Sequence, residues 1–412
     1  NKIFEFKKSH YAKFSIKETN FEEKKYWELK NNINFQDLGF EEAKKYLKNL
    51  LIHTIESRFF ADVPVAYFQS GGVDSNLIAT IAKNELNLNL TGFYMSNSDS
   101  RYSEDILVQD SSSANKNNII KLNVDDERDF IGTISNQINY QDAPIFTTVD
   151  YCMFKLAQKI KKENFKVVLT GSGADEVFTG YFDHYLLNFN DLNLSGQKDK
   201  YKNELDVWKN EILPSVRNPS FQSEENFKKS KLKYLFQNDG VENLFVKNSN
   251  FEFSNLNFGF SNLRNRMCNE LFVECIPPVL FQDDLNCMYH SIENRSPYLS
   301  HNLVEFGYSI NQNYHINNGA LKNLLRIIGL DYLDLKAFKN KQKVGFNYPT
   351  EKMINFKSND ISEFVLSDSQ IFDFIKKDEL KKIVNSDREF TNNESKTLFS
   401  IISAKMFLDN NE

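Results

Sequence analysis

The sequence predicts an α/β protein: a parallel sheet with helices on both faces, followed by a mainly helical C-terminal part. Three observations predict it. Strand-like and helix-like segments alternate from Val63 to about Tyr181. Two glycine-containing turns, "SGGVDS" (70–75) and "TGSGADE" (170–176), each follow a β-rich run and open a helix. Past about Tyr185 the strand pattern stops and helical stretches take over. Strictly alternating strands and helices imply right-handed crossovers and a parallel sheet, and ligands of such sheets sit at the carboxyl ends of the strands.

In chain order, "KIFEFKKSHYAKFSIKE" (2–18) alternates and turns at Lys7-Lys8-Ser9-His10, which reads as a short hairpin. A polar connection follows. Leu47, Leu50, Leu51, Ile55 and Phe59 then recur at helical spacing. Strands are expected at 65–69, 90–96, 118–124 and 166–171, with helices at about 74–84, 103–115, 127–140 and 149–163. The stretch from 185 to 282 is polar and irregular, and the tail reads as short amphipathic helices. The expected divisions are a hairpin and linker (1–35), the α/β core (36–185), a helical insertion with further segments (186–349) and a helical tail (350–412).

With 412 residues the chain exceeds one ordinary core. Its 41% hydrophobic and 26% charged content is that of a globular protein, and a net charge of −6 argues against a dedicated nucleic-acid or membrane-surface binder. No run approaches the roughly 18 apolar residues of a membrane span, and the first ten residues lack the apolar core of a signal peptide. Cys152, Cys268, Cys275 and Cys287 show no CxxC spacing and no HExxH is present, so reduced thiols in a cytoplasmic setting and no zinc site are expected.

The chemistry sits in the two turns. Gly71 and Gly72 let the backbone bring its N–H groups toward an anion, and the following helix aims its positive end at the same place. Ser70 and Ser75 add hydroxyls. The loop carries Asp74 where phosphate loops of the Walker type carry lysine. A carboxylate there repels bare polyphosphate, so its sensible role is to hold Mg2+ against the ligand. A metal-clamped pyrophosphate suits attack at the α-phosphate of ATP, releasing AMP and pyrophosphate, rather than γ-phosphoryl transfer. The second turn supplies Gly171, Gly173 and another acidic pair, Asp175 and Glu176.

Taken together, "SGGVDS" and "TGSGADEVFTGY" resemble the PP-loop ATP pyrophosphatase domain of the asparagine synthetase family. "DDLNCMYHSIENRSPYLSHNLVEF" (283–306) is similar to that family's Ser-x-Glu-x-Arg-x-Pro-aromatic-Leu segment, and "GALKNLLR" with "KQKVGFNYP" to its late lysine segments. "DAPIF" (142–146) sits where the family has an acidic-Pro-Phe loop. The resemblance covers roughly Val63 to Pro349. It implies activation of a carboxylate as an acyl-adenylate, then attack by ammonia or an amine, with ATP and Mg2+ as cofactors. It assigns Ser70, Gly71, Gly72, Asp74 and Ser75 to the pyrophosphate, and Gln69, Met95, Thr170 and Gly171 to the adenosine, mostly through backbone groups. Asp74 and Asp175 would hold Mg2+, Lys343 would neutralise the departing pyrophosphate, and Glu293 would act near the acyl carbon. Arg295 and Lys322 are secondary candidates. A buried salt bridge with Arg295 or another cation is the alternative for Glu293, and a solvated surface position the alternative for Lys343.

Two positions depart from the family pattern. Ser172 stands where many members have an acid between the glycines, which puts aspartate as the acid in doubt, and Ser300 stands where they have aspartate after Pro-aromatic-Leu. The family's glutaminase domain begins with a catalytic cysteine, and no cysteine precedes Cys152. Ammonia from glutamine would then come through a missing or separate glutaminase domain, whose last strands the 2–18 hairpin resembles. Aspartate is the default acid. A uronic acid sugar of a surface polysaccharide, or intramolecular closure as in β-lactam synthetases and lasso-peptide cyclases, keeps the same chemistry. The resemblance leaves room for a homodimer. Two other classes remain as readings: a PP-loop tRNA thiolase, disfavoured without paired cysteines or a basic face, and a catalytically inactive nucleotide-binding protein.

Overall fold

The structure, a computed structural model, describes residues 4–17, 21–30, 32–96, 103–123, 129–230, 241–246, 255–342, 350, 354–356, 358–388, 390 and 392–410. Its centre is a five-stranded, all-parallel sheet in the order β5-β4-β3-β6-β7. The strands are β3 (Val65–Phe68), β4 (Thr91–Ser96), β5 (Asn118–Asn123), β6 (Val167–Leu169) and β7 (Glu293–Arg295). The first four fall where the sequence places them. The crossover helices follow suit: α2 (Val73–Asn84), α3 (Asp105–Asn115), α4 (Phe130–Gln141) and α5 (Thr148–Lys162).

Side-chain alternation along these strands separates two cores. Tyr67 and Leu169 point to one face, where Leu77, Ile78 and Ile81 of α2 meet Leu47, Leu51 and Ile55 of α1 (Phe40–Phe59). Ala66 and Val168 point to the other, against Ile134 and Ile138 of α4 and Ile401 and Ile402 of the last helix. Each fully buried Leu or Ile contributes roughly 2 kcal/mol, so α2 is fixed to the sheet by its own apolar residues, Leu77, Ile78 and Ile81 foremost. The four cysteines are free. Among the described residues no helix is long and apolar enough to cross a membrane.

Two features differ from the expectation. The N-terminal strands are β1 (His10–Phe14) and β2 (Phe21–Lys25), paired antiparallel with Phe14 opposite Phe21. The hairpin therefore reverses after Phe14, not at Lys7–His10. Ser9, at φ 59°, only bends the chain into β1, and "FEEKK", read as polar connection, is the partner strand. The pairing gains two opposed Phe side chains. The second difference is β7, an edge strand of three residues that carries no β-branched side chain and so leaves no periodic signal.

The loop after β6 leads into a short helix, α6 (Ala174–Phe178), through Gly173 at φ 93°. A Cβ at Gly173 would meet the Leu299 side chain, beginning with Cδ2. Gly173→Ala is expected to lower stability by roughly 2 kcal/mol through left-handed strain plus overlap, read as a fall in the urea midpoint with an unchanged m-value.

Candidate functional site

The site forms at the carboxyl edge of β3 and β6. Gln69 continues β3 by donating its backbone N–H to Phe93 O (2.9 Å), and the chain then turns through Ser70 and Gly71 to Gly72, which caps α2. The turn is held from within. Ser70 N–H donates to Ser75 Oγ (3.1 Å), Gly72 N–H donates to Ser70 Oγ (3.1 Å), and Asn76 Nδ2 donates to Ser70 O (3.0 Å) and Gly72 O (2.5 Å). Behind it, Gln69 Nε2 donates to Asn76 Oδ1 (3.1 Å) and Tyr67 Oη donates to Gln69 Oε1 (2.6 Å). Asn76 is fully buried and braces the loop, a part that reading the motif overlooked. Its position one turn into α2, facing the loop carbonyls, was the available signal.

Gly71 N–H donates to Glu104 Oε2 (3.0 Å). A carboxylate thus occupies the acceptor position that a phosphate oxygen would take, and the turn presents that N–H outward as the sequence requires. A Cβ at Gly71 would come within 2.9 Å of Leu107 Cδ1, so the closeness of α3 to the loop depends on glycine there.

The two turns touch. A Cβ on Gly171 would lie 2.9 Å from Asp74 Cβ, so glycine lets the second turn close on the first. Asp74 and Asp175 converge on one cation, the Lys322 ammonium. Its Nζ lies 2.8 and 2.6 Å from the Asp74 oxygens and 2.6 Å from Asp175 Oδ1. Burial alone would lower the Lys322 pKa; the Asp175 and Asp74 charges outweigh it and raise it. Lys322 reaches this point from a left-handed backbone (φ 55°) just before α8 (Asn323–Tyr332), with its N–H on Thr179 Oγ1 (3.2 Å). The lysine absent from the loop is therefore supplied from 248 residues downstream.

A cavity of about 180 Å3 lies over this cluster, lined by Ser70–Asp74, Glu104, Asp175, Gly180, Lys322 and Arg326 among others. Arg326 donates to the carbonyls of Leu321 (2.7 Å), Phe338 (3.2 Å) and Asn340 (2.7 Å), fixing the segment from which Lys341 and Gln342 also face the cavity. The two carboxylates already share a cation at ligand-like separation from both turns, an oxygen donor set suited to Mg2+.

The remaining expected residues are distributed as follows. Ser75 turns its hydroxyl inward as part of the loop brace. Gln69, Met95 and Thr170 are buried, so their side chains stand behind the cavity rather than in it. Thr170 N–H donates to Arg295 O (2.9 Å) and its hydroxyl meets Ser296 Oγ (3.0 Å). Tyr298, from the Ser-Pro-Tyr-Leu turn, donates its hydroxyl to Asp74 O (3.0 Å) and braces the start of α2. Glu293 is not brought to the cradle. It lies at the first residue of edge strand β7, 59% exposed, with Arg295 Nε 2.7 Å away, and hydrogen bonding to Arg295 lowers its pKa. Arg295 in turn donates to Arg58 O (2.7 Å) and Phe60 O (3.0 Å). Lys343 lies outside the described residues. Ser300 caps its helix, with its Oγ accepting from Leu303 N–H (3.4 Å).

Ser172, the departure in the second turn, donates to Asp283 Oδ2 (3.4 Å). Asp283 is buried on α7 (Ile276–Tyr289), and burial, then the charge of Asp150, pushes its carboxyl up to about 7; burial raises Asp150 to about 6. A carboxylate at position 172 would face this acid directly.

Lys322→Met leaves two partly buried carboxylates without their cation, and should cost roughly 3 kcal/mol of stability, measured by urea unfolding at pH 7.5, where both aspartates are charged in the unfolded chain. The Asp283 carboxyl holds its proton in the folded chain up to about 7, while the unfolded chain releases it near 3.8. The unfolded state therefore binds fewer protons across that window, and this group's contribution falls as pH rises from 4 to 7, by at most about 1.4 kcal/mol per pH unit. Asp283→Asn should be less sensitive than the parent, gaining stability relative to it at pH 7.5 over pH 4.5 in thermal scans.

A family model described as Asparagine synthase matches residues 46–409. The glutamine-hydrolyzing asparagine synthetase 1 of Bacillus subtilis (strain 168) is 23% identical over 84% of this chain and 56% of its own length. Amidase chyE of Penicillium rubens is 27% identical over 39% of this chain and 26% of its own. Amidase chry2 of Gibberella zeae is 26% identical, over 39% and 26%. The chain thus spans about half the length of the Bacillus relative.

Proposed function

From the premise that the chain belongs to the asparagine synthase family, we propose that it is an ATP-dependent amide synthetase. The observation that carries this reading is the convergence of Asp74, Asp175 and Lys322 beside the outward N–H of Gly71. An acid pair with one lysine suits a triphosphate that is clamped and then leaves as pyrophosphate.

In the proposed reaction, ATP lies with its β- and γ-phosphates against Ser70, Gly71, Gly72 and Ser75, and the phosphate displaces the Glu104 carboxylate from Gly71 N–H. Gln69, Met95, Thr170 and Gly171 contact the adenosine through their backbones. Mg2+, held by Asp74 and Asp175, would supply charge neutralisation of the phosphates. Lys322 then exchanges part of its aspartate contact for phosphate oxygen. A carboxylate oxygen of the acid attacks the α-phosphorus and the bond to the β-phosphate oxygen breaks, giving acyl-adenylate and pyrophosphate. Positive charge at Lys322 and Lys343 favours the leaving group. Ammonia or an amine attacks the acyl carbon, AMP departs, and the nitrogen loses a proton. Glu293 is assigned to this acyl side from the neighbouring surface, where Ser296, in contact with Thr170, also lies.

Aspartate, giving asparagine, is the first acid to test, with ammonia drawn from glutamine through a glutaminase domain outside this chain and a cytoplasmic setting. The Ser172 contact with Asp283 favours keeping uronic acids and intramolecular closure beside it, because the position carrying an acid in many members here carries a hydroxyl.

With ATP, Mg2+ and ammonium, AMP and pyrophosphate should appear only when an acid substrate is supplied, and Asp74→Asn or Asp175→Asn should reduce the rate at least 100-fold, a loss of roughly 2.7 kcal/mol in the barrier. AMP with aspartate assigns asparagine synthesis. AMP only with another carboxylate moves the acid and keeps the reaction. ADP as the product overturns the reading.

A further inference from the structure

On the second face of the sheet, a cavity of about 780 Å3 opens between the Asp142–Phe146 loop, the first turn of α5 and one side of α9 (Asn392–Asp409). Its walls are mainly apolar, with Pro144, Phe146, Ile375, Phe399, Ala404 and Phe407 among them. The loop is pinned to α9 where Ile145 N–H donates to Ser403 Oγ (2.6 Å). Small-molecule sites typically enclose roughly 300–1,000 Å3 of mostly apolar wall with a few placed polar groups, and this cavity has that build.

Two polar features fix what its occupant would carry. Lys396 lines the cavity, and its ammonium makes no ion pair or hydrogen bond among the described residues. Burial lowers the Lys396 pKa with no neighbouring charge to oppose it. The Thr350 hydroxyl, on a residue only 1% exposed, lines the same cavity and has no hydrogen-bond partner among the described residues. Thr147, Thr148 and Val149 bring the amino end of α5 to the wall, and the Asp150 carboxylate already caps it, accepting from the Thr147 N–H (3.4 Å). A cation and a buried hydroxyl both call for oxygen with negative charge. A neutral apolar ligand would leave Lys396 and Thr350 unpaired, and an amine would be repelled.

We propose that this cavity binds a monocarboxylic acid with an apolar body, its carboxylate on Lys396 and Thr350 and its alkyl or aryl part against Phe146, Phe399 and Ala404. The topology puts this at the same edge of the sheet as the cradle. α5 runs toward the start of β6, so its amino end lies at the carboxyl edge, as does that of α2. The assignment concerns binding and stands apart from the adenylation reading, which can fail without affecting it.

The test is isothermal titration of the full chain, without nucleotide, using decanoate below its micellar concentration and decylammonium as the control. Saturable one-site binding of decanoate and none of decylammonium is expected. Lys396→Met, which keeps the apolar stem, should weaken decanoate at least tenfold, Thr350→Val several-fold, and Ala404→Trp should abolish binding by filling the space. Circular dichroism checks that each variant is folded, and the near-isosteric Thr350→Val keeps the test decisive if Ala404→Trp is not. Absence of saturable binding, equal binding of acid and amine, or decanoate affinity unchanged in both Lys396→Met and Thr350→Val would overturn the proposal.

Discussion

The site depends on one interaction: a single buried ammonium held between two carboxylates from two different strand ends. Lys322 joins Asp74, at the start of α2, to Asp175, in α6, and so ties the loops after β3 and β6 to the helical part of the chain. Without the cation, like charges on two turns in van der Waals contact would push apart. With it, the turns close until only glycine fits at position 171. The backbone N–H groups and the acid pair are thereby held in one small volume before any ligand arrives, the kind of preorganisation on which electrostatic catalysis relies.

Around this contact the fold works in layers. α1 and α2 seal one face of the sheet, α4, α5 and α9 the other, and the loops between them meet at the carboxyl edge. Asn76, Tyr298 and Arg326 brace that edge from three directions: within the loop, from the turn after β7, and from α8. All three give hydrogen bonds to main-chain carbonyls, so what they specify is backbone position rather than charge.

Local pattern carried much of this. Strands β3 to β6 and their helices could be read from alternating apolar runs, and the two acidic turns from their glycines, because each of these signals is confined to a few consecutive residues. The pairing of Lys322 with both aspartates could not be derived that way, since nothing near position 322 records what lies 248 residues earlier. Glu104 went unnoticed for the same reason: its contact with Gly71 spans two elements. Strand β7 is too short for periodicity, and its place in the sheet comes from pairing with β6 rather than from its composition. At the hairpin, the turn signal at Lys7–His10 was local and genuine as a bend, but the opposed Phe14 and Phe21 decide the register.

The late position of β7 in the chain bears on how the molecule is made. Strands β3 to β6 are complete once residue 169 has been synthesised, yet Val167–Leu169, buried and apolar, has no neighbour on its outer side until Glu293–Arg295 arrive. During that interval the nascent sheet ends in an open hydrophobic edge, the kind of surface that recruits foreign strands. A chain halted between these two points would retain both acidic turns and lack both the covering strand and the lysine. The acidic turns gain their shared cation only when residue 322 has been added, after every strand of the sheet.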